Sequence, residues 1–309
     1  MRHLIALLLL LASPATAEPL RLIAFADMPY GKAEVTYPRF AALIEAIDRS
    51  TPDLVLRVGD TKPAGAPCSD ERLAEQLDFI ARLSVPVIFT PGDNDWTDCH
   101  GQAAGGFDPR ERLAHIRATY FAEPDTTLGK PIPITSQADQ GFPENTRLTR
   151  EGITVIAAHL VGSNNGFEPG DPAAAAEFAA RDRANIAWLR AGFAEAAQAE
   201  SAGIILALHA DLFKHDWNTF GQGKWLGHSG FRRFGRVLIE EAKTFGRPIL
   251  LVHGDGHRFG LSRPWPREVP NLLALEVFGA RHMHAVEILV DPAERAVFAI
   301  RPFWHPDGF

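Results

Sequence analysis

Cysteine is nearly absent from this 309-residue chain, which has only Cys68 and Cys99. That excludes a small disulfide-built fold and any thiolate-rich metal cluster, and it allows one internal bridge at most. Basic runs are lacking as well. Lys and Arg number 31 against 38 Asp and Glu, a formal charge of −7. No stretch gathers the cations that nucleic acid or an anionic membrane surface attracts, so no nucleic acid is expected as a partner. No apolar run reaches the ~20 residues that span a bilayer. The apolar run at 4–12 is flanked by Arg2 and His3 on one side and by Ala15-Thr16-Ala17 on the other. This is the layout of a secretory signal peptide, residues 1–17, cut after Ala17. No cysteine follows the cut to carry a lipid. The expectation is a periplasmic or secreted protein, not stably inserted in a membrane, with residues 18–309 as one domain. In an oxidising compartment Cys68 and Cys99 would form a disulfide. Each follows a Gly-Asp turn, Gly59-Asp60 and Gly92-Asp93, so a bridge would tie two loops together.

Apolar residues make up 46% of the chain, many of them in short runs that end in an acid or an imidazole. Residues 20–26 end at Asp27 and 53–58 at Gly59-Asp60. Residues 85–90 end at Pro91-Gly92-Asp93-Asn94-Asp95, with Asp98 close behind. Residues 203–208 end at His209, and 248–252 at His253-Gly254-Asp255-Gly256-His257. Helical periodicity or capping signals mark 38–49, 70–83, 108–121, 171–200 and 231–245, with Ser69, Asp108 and Asp171 as N-caps. Further strands are expected at 153–161, 272–278, 285–290 and 296–302. Residues 123–150, rich in Pro, Gly and Thr, read as a long excursion over the surface, and 210–229 as an irregular loop. One Asp after a strand is ordinarily a turn residue. Five strands that deliver oxygen and imidazole donors to one rim are the arrangement a metal centre needs.

The order of these motifs resembles the calcineurin-like metallophosphoesterases, whose pattern is D-x-H, G-D, G-N-H-[DE], an isolated His, and G-H-x-H. Here the matching stretches are Asp27-Met28-Pro29, Gly59-Asp60, Gly92-Asp93-Asn94-Asp95, His209 and Gly254-Asp255-Gly256-His257. The run from Gly92 through Trp96 to Cys99 and the His253–His257 turn are similar to forms found in exported bacterial members. The resemblance implies an α/β fold, a four-layer α/β/β/α sandwich of two mixed sheets, and hydrolysis of a small phosphorylated substrate by a metal-bridging hydroxide. It places Asp27, Asp60 and His257 on a first divalent ion. Asp93, His209 and Asp255 go to a second, with Asp60 as the bridge. Asp60 and Asn94 stand at catalytic positions.

The departures from the family pattern are specific. Pro29 replaces a ligating His, Asp93 a ligating Asn, Asp255 a ligating His, and Asn94 the His that assists catalysis. Asn cannot act as an acid near neutrality, so a non-catalytic exported metal- or phosphate-binding protein is the alternative reading. Four carboxylates and two imidazoles suit Mn²⁺ or Mg²⁺ better than Zn²⁺. Asn164, Asn165 and Lys62 are candidate substrate contacts. Tyr30 is either a substitute for the missing imidazole or a packed ring. His159 reads as a hydrogen-bonded core residue.

Overall fold

Strands buried on both faces need continuous apolar runs, and parallel pairing needs helical crossovers. The computed structural model, which describes residues 19–213 and 229–308, shows both features. Strands β1 (Leu20–Phe25), β2 (Leu54–Val58) and β3 (Pro86–Thr90) lie parallel. With β4 (Leu128–Gly129), β12 (Ala285–Val290) and β13 (Phe298–Phe303) they form a six-stranded sheet in the order β13-β12-β1-β2-β3-β4. A second sheet of seven strands contains β5 (Thr135–Gln137), β6 (Phe142–Arg150), β7 (Ile153–Ala157), β8 (Gly203–Ala207), β9 (Ile249–His253), β10 (Gly260–Ser262) and β11 (Leu272–Glu276). Its order is β10-β11-β9-β8-β7-β6-β5, and β7, β8, β9 and β11 run parallel.

Side chains alternate between two cores, as strand geometry requires. Leu22, Ala24, Leu54, Leu56 and Ile88 of the first sheet meet Val155, Ile205, Ala207, Leu250 and Val252 of the second. The opposite face of the first sheet, with Ile23 and Phe25, is covered by α1 (Ala33–Arg49), α2 (Asp70–Ala81) and α3 (Pro109–Tyr120). The outer face of the second sheet packs on α4 (Pro172–Gln198) and α5 (Arg232–Phe245) through Trp188, Phe193, Phe234 and Leu238. The layers therefore run α/β/β/α, as expected. The parallel strands bring their C-terminal ends to one rim.

The three expected caps are present. Ser69 accepts from the Arg72 amide at 3.3 Å, Asp108 from Arg110 at 2.9 Å, and Asp171 from Ala173 at 2.8 Å. Helix α1 starts at Ala33, so Pro38 lies inside it rather than at its start. Residues 123–150 are not a free excursion, because β6 pairs antiparallel with β7 over Thr146–Arg150. Cys68 and Cys99 are joined, 31 residues apart in sequence, a closure that contributes roughly 3–4 kcal/mol against the unfolded chain. No helix among the described residues is long and apolar enough to cross a membrane. The expected signal segment, 1–17, and most of the 210–229 loop lie outside the described residues.

Candidate metal centre

Four rim residues adopt left-handed backbone: Asp27 (φ 54°), Asp60 (φ 52°), Asp255 (φ 68°) and His257 (φ 63°). For side chains other than glycine this conformation costs about 1–3 kcal/mol each, and it persists only where neighbours enforce it. Two buried residues do so here. The Arg57 guanidinium donates to the carbonyls of Met28 at 2.7 Å, Gly59 at 2.8 Å and Asp60 at 3.1 Å. The Asp95 carboxylate accepts from the amides of Asp60 (3.0 Å), Thr61 (2.8 Å) and Gly92 (2.8 Å), and from the Thr61 hydroxyl (2.7 Å). Asp95 thus joins the loops after β2 and β3. Gly92 and Gly254 carry no side chain because a Cβ there would collide with the carboxylates of Asp60 and Asp27.

The side chains converge around His209. Its Nδ1 donates to the Val58 carbonyl at 2.9 Å, which turns Nε2 towards the acids. Nε2 lies 2.9 Å from Asp93 Oδ1 and 3.3 Å from Asp60 Oδ1. Ligand atoms of Asp27, Asp60 and His209 all lie within 4.8 Å of one another, and so do those of Asp93, His209 and Asp255. His257 Nε2 reaches Asp27 Oδ1 at 3.2 Å, and the Asp255 amide donates to Asp27 Oδ2 at the same distance. Five of the six sequence-predicted ligands thus fall in these two groups, and His257 adjoins them only through Asp27. His257, with 41% of its side chain exposed, marks the opening.

Whether this set fits a cation is decided by its unsatisfied atoms. Asp27 Oδ1, Asp93 Oδ1 and His209 Nε2 are buried and make no aligned hydrogen bond among the described residues. Buried polar atoms normally make hydrogen bonds; these three have only ion-pair approaches, to one another or to His257, and carboxylate oxygens beside an imidazole nitrogen are a donor set that divalent cations take.

The electrostatics of the cation-free site agree. Burial, partly offset by His209, holds the Asp60 carboxyl well above the usual range. Burial also opposes charge on Asp93 and His209, but their mutual attraction prevails. Asp93 is lowered, and His209 is raised well above its ordinary value with help from Asp60. Without a cation, the neighbouring acids favour the imidazolium form of His209. Its contribution to stability is complete below the unfolded pKa of about 6.5. That contribution is lost as pH rises through the raised folded value. A cation must displace that proton, so its affinity is expected to rise with pH over the same window, with net proton release on binding. Calorimetric titration with Mn²⁺ in two buffers of different ionisation heat measures the release. A pH-independent affinity with no proton exchange would contradict it.

Pro29, where the resemblance implies an imidazole, supplies no donor, and the adjacent Tyr30 reaches Asp60. Its hydroxyl donates to Asp60 Oδ2 at 2.8 Å and accepts from Asn94 Nδ2 at 2.9 Å. The Asn94 amide N–H also binds Asp60 Oδ1 at 3.0 Å. Burial, then the charge of Asp60, raises the Tyr30 phenol well above its ordinary pKa.

The expected substrate contacts are placed differently. Asn165 is fully buried, accepting from Arg181 at 2.6 Å and donating to the Gly230 carbonyl at 3.2 Å. Asn164 donates to the Phe167 carbonyl and accepts from the Gly230 amide. Both side chains hold the 162–166 turn in place, and a phosphate would have to displace those bonds. Lys62 is 1% exposed, and its Nζ has no hydrogen-bond partner among the described residues. Burial lowers its pKa, opposed in part by the charges of Asp95, Asp60 and Asp98.

His159 is a buried link, 2.8 Å from Glu144 and accepting from the Trp96 indole at 3.1 Å. His253 is buried and lies 3.0 Å from the Gly254 carbonyl. Three contributors were missed in the sequence. Arg57 is a lone cation inside an apolar strand, which should itself have suggested buried partners. Ser163 lies 3.1 Å from both Asp93 Oδ2 and Asp98 Oδ2. Glu276, pushed up to about 7 by burial, accepts from the Arg258 amide at 2.6 Å beneath the 254–258 turn. Neither of the last two carries a sequence signal.

No protein-family model matches the chain. Over 92 residues it is 35% identical to a probable cyclic nucleotide phosphodiesterase of Synechococcus sp., covering 29% of this chain and 30% of that protein. Among solved structures, the purple acid phosphatase of yellow lupin (Lupinus luteus) seeds superimposes with a TM-score of 0.59. The two are 11% identical over 96% of this chain and 53% of that one. A dimetal phosphatase from Danio rerio gives a TM-score of 0.52 at 10% identity, covering 93% of this chain and 99% of that one. The 5'-nucleotidase of Candida albicans gives 0.50 at 11% identity, over 93% of this chain and 52% of that one. The chain thus spans about half the length of the lupin enzyme and less than a third of the Synechococcus protein. At these identities the structural likeness shows the fold, that of the metallo-dependent phosphatases.

Proposed function

We propose that the chain is an exported metal-dependent phosphoesterase acting on a small phosphorylated substrate. The observation that supports it most directly is the trio of buried atoms that make no aligned hydrogen bond, Asp27 Oδ1, Asp93 Oδ1 and His209 Nε2, at one rim of a phosphatase fold. In this reading Asp27, Asp60 and His257 would hold one divalent ion, and Asp93, His209 and Asp255 would hold the other. When bound, such ions supply Lewis-acid charge for phosphoryl oxygens and make a water acidic enough to act as nucleophile.

The protein's own groups supply the remainder. Arg57 fixes the backbone from which Asp27 and Asp60 project. Ser163 fixes the outer oxygen of Asp93. Asn94 binds Asp60 through its backbone N–H and offers its side-chain amide to Tyr30. Lys62 adds a positive charge near the acids.

An oxygen-rich, anionic set favours harder cations. Metal-free protein is therefore expected to regain hydrolysis of an aryl phosphate with Mn²⁺ or Mg²⁺ more fully than with Zn²⁺. Affinity alone favours Zn²⁺ at most sites, so activity and not occupancy must be scored. Bound metal with no turnover of aryl monoesters or diesters under any of the three ions would leave a non-catalytic binding protein.

A further inference from the structure

We propose that Tyr30, oriented by Asn94, is a phosphoryl-contacting hydrogen-bond donor of this site. The inference rests on the phosphoesterase reading and adds a residue to it. The phenol stands between the centre and the opening. Its hydroxyl lies 2.8 Å from Asp60 Oδ2, and its ring is edge-on to the half-exposed His257 imidazole, with centroids 5.4 Å apart.

A phenol has one hydrogen to donate. Because Asn94 Nδ2 donates into the phenol oxygen at 2.9 Å, that hydrogen is directed away from Asn94 and onto an anionic acceptor. In the structure the acceptor is Asp60 Oδ2, and among the described residues Tyr30 is the only group that satisfies this oxygen. Once Asp60 is committed to a cation, the O–H is released to another anionic oxygen. The phosphoryl group is the one such a site brings to it. The second N–H of the Asn94 amide has no partner among the described residues, so two neutral donors converge at the mouth of the acid cluster. Packing alone does not require the hydroxyl, since a Phe ring would make the same edge contact with His257.

The test uses the full chain loaded with Mn²⁺ and inorganic phosphate as the probe. Phosphate binding is read by calorimetry and by competition with aryl phosphate hydrolysis, and Mn²⁺ stoichiometry and affinity are measured separately without phosphate. Tyr30→Phe is expected to weaken phosphate binding about 10- to 100-fold, the range for a hydrogen bond to a charged group. Mn²⁺ binding should stay within about threefold of wild type, since the Asp60 carboxylate itself is untouched. Asn94→Leu, of similar shape, is expected to weaken phosphate binding in the same direction by removing the orienting donor. Unchanged phosphate affinity in Tyr30→Phe overturns the inference. So does a loss matched by an equal loss of Mn²⁺ affinity, which would mean that the phenol only supports Asp60. Wild-type protein that binds Mn²⁺ but neither binds phosphate nor turns over overturns the phosphoesterase reading, and this inference with it.

Discussion

Asp60→Asn and His209→Ala are each expected to lower phosphoester turnover by well over 100-fold and to reduce the metal content of the purified protein. Groups that merely orient metal ligands already cost about 10- to 100-fold when removed, and these two residues are at the centre of the cluster. Asp60 contacts His209 Nε2, Tyr30 and the Asn94 amide at 3.3, 2.8 and 3.0 Å. Changing one of its oxygens to NH₂ removes a negative charge and places a donor where lone pairs are needed. His209 belongs to both groups of mutually close ligand atoms, so deleting its ring weakens both halves. Metal analysis and turnover are to be measured on protein shown by circular dichroism to be folded. Wild-type turnover in either variant would remove the proposed metal assignment. Asp95→Asn makes an informative comparison, because Asp95 accepts four hydrogen bonds from the loops after β2 and β3 and ligates nothing in the proposal. Its main expected effect is on thermal stability.

Much of this arrangement could be read from the chain because two strong constraints coincide. Strands such as β8 and β9 are buried on both faces, so their apolar runs are unbroken, and the first polar residue after each run lies on the rim. His209 and the His253–His257 turn stand out for that reason. β6 was hidden by the reverse condition. Its buried positions carry Glu144, Asn145 and Thr146, and the first two are satisfied by His159, Arg117, Gln137 and Asn185 rather than by apolar packing. Such a strand has no hydrophobic alternation to detect. Pro38 misled for a local reason, because a proline usually marks a helix start and α1 here continues through it. The support given to the site by Arg57, Ser163 and Glu276 depends on which strand ends become neighbours. No single stretch of sequence contains that information.

The other large effect concerns the leaving group. An alkoxide departs slowly unless a proton reaches it, and general acid help is worth roughly 10²–10⁴-fold. The groups beside Asp60 have little to offer in that role. Asn94 is not an acid. The Tyr30 phenol is made more reluctant to ionise by burial and then by Asp60. His209 and His257 are assigned to the cations, and His253 is buried, 3.0 Å from the Gly254 carbonyl. Hydrolysis of 4-nitrophenyl phosphate, whose leaving group departs without a proton, is therefore expected to exceed that of an alkyl monophosphate by about 10²–10⁴-fold in kcat/KM. Phosphoanhydrides, which also release a stable anion, should group with the aryl ester. Asn94→His should raise the alkyl rate more than the aryl rate, because it restores a group that titrates near neutrality at that place. The deciding measurement is kcat/KM across a series of esters of graded leaving-group acidity, for wild type and Asn94→His. A flat series for the wild-type protein would mean that a proton donor is already at work, and this account of Asn94 would have to be abandoned.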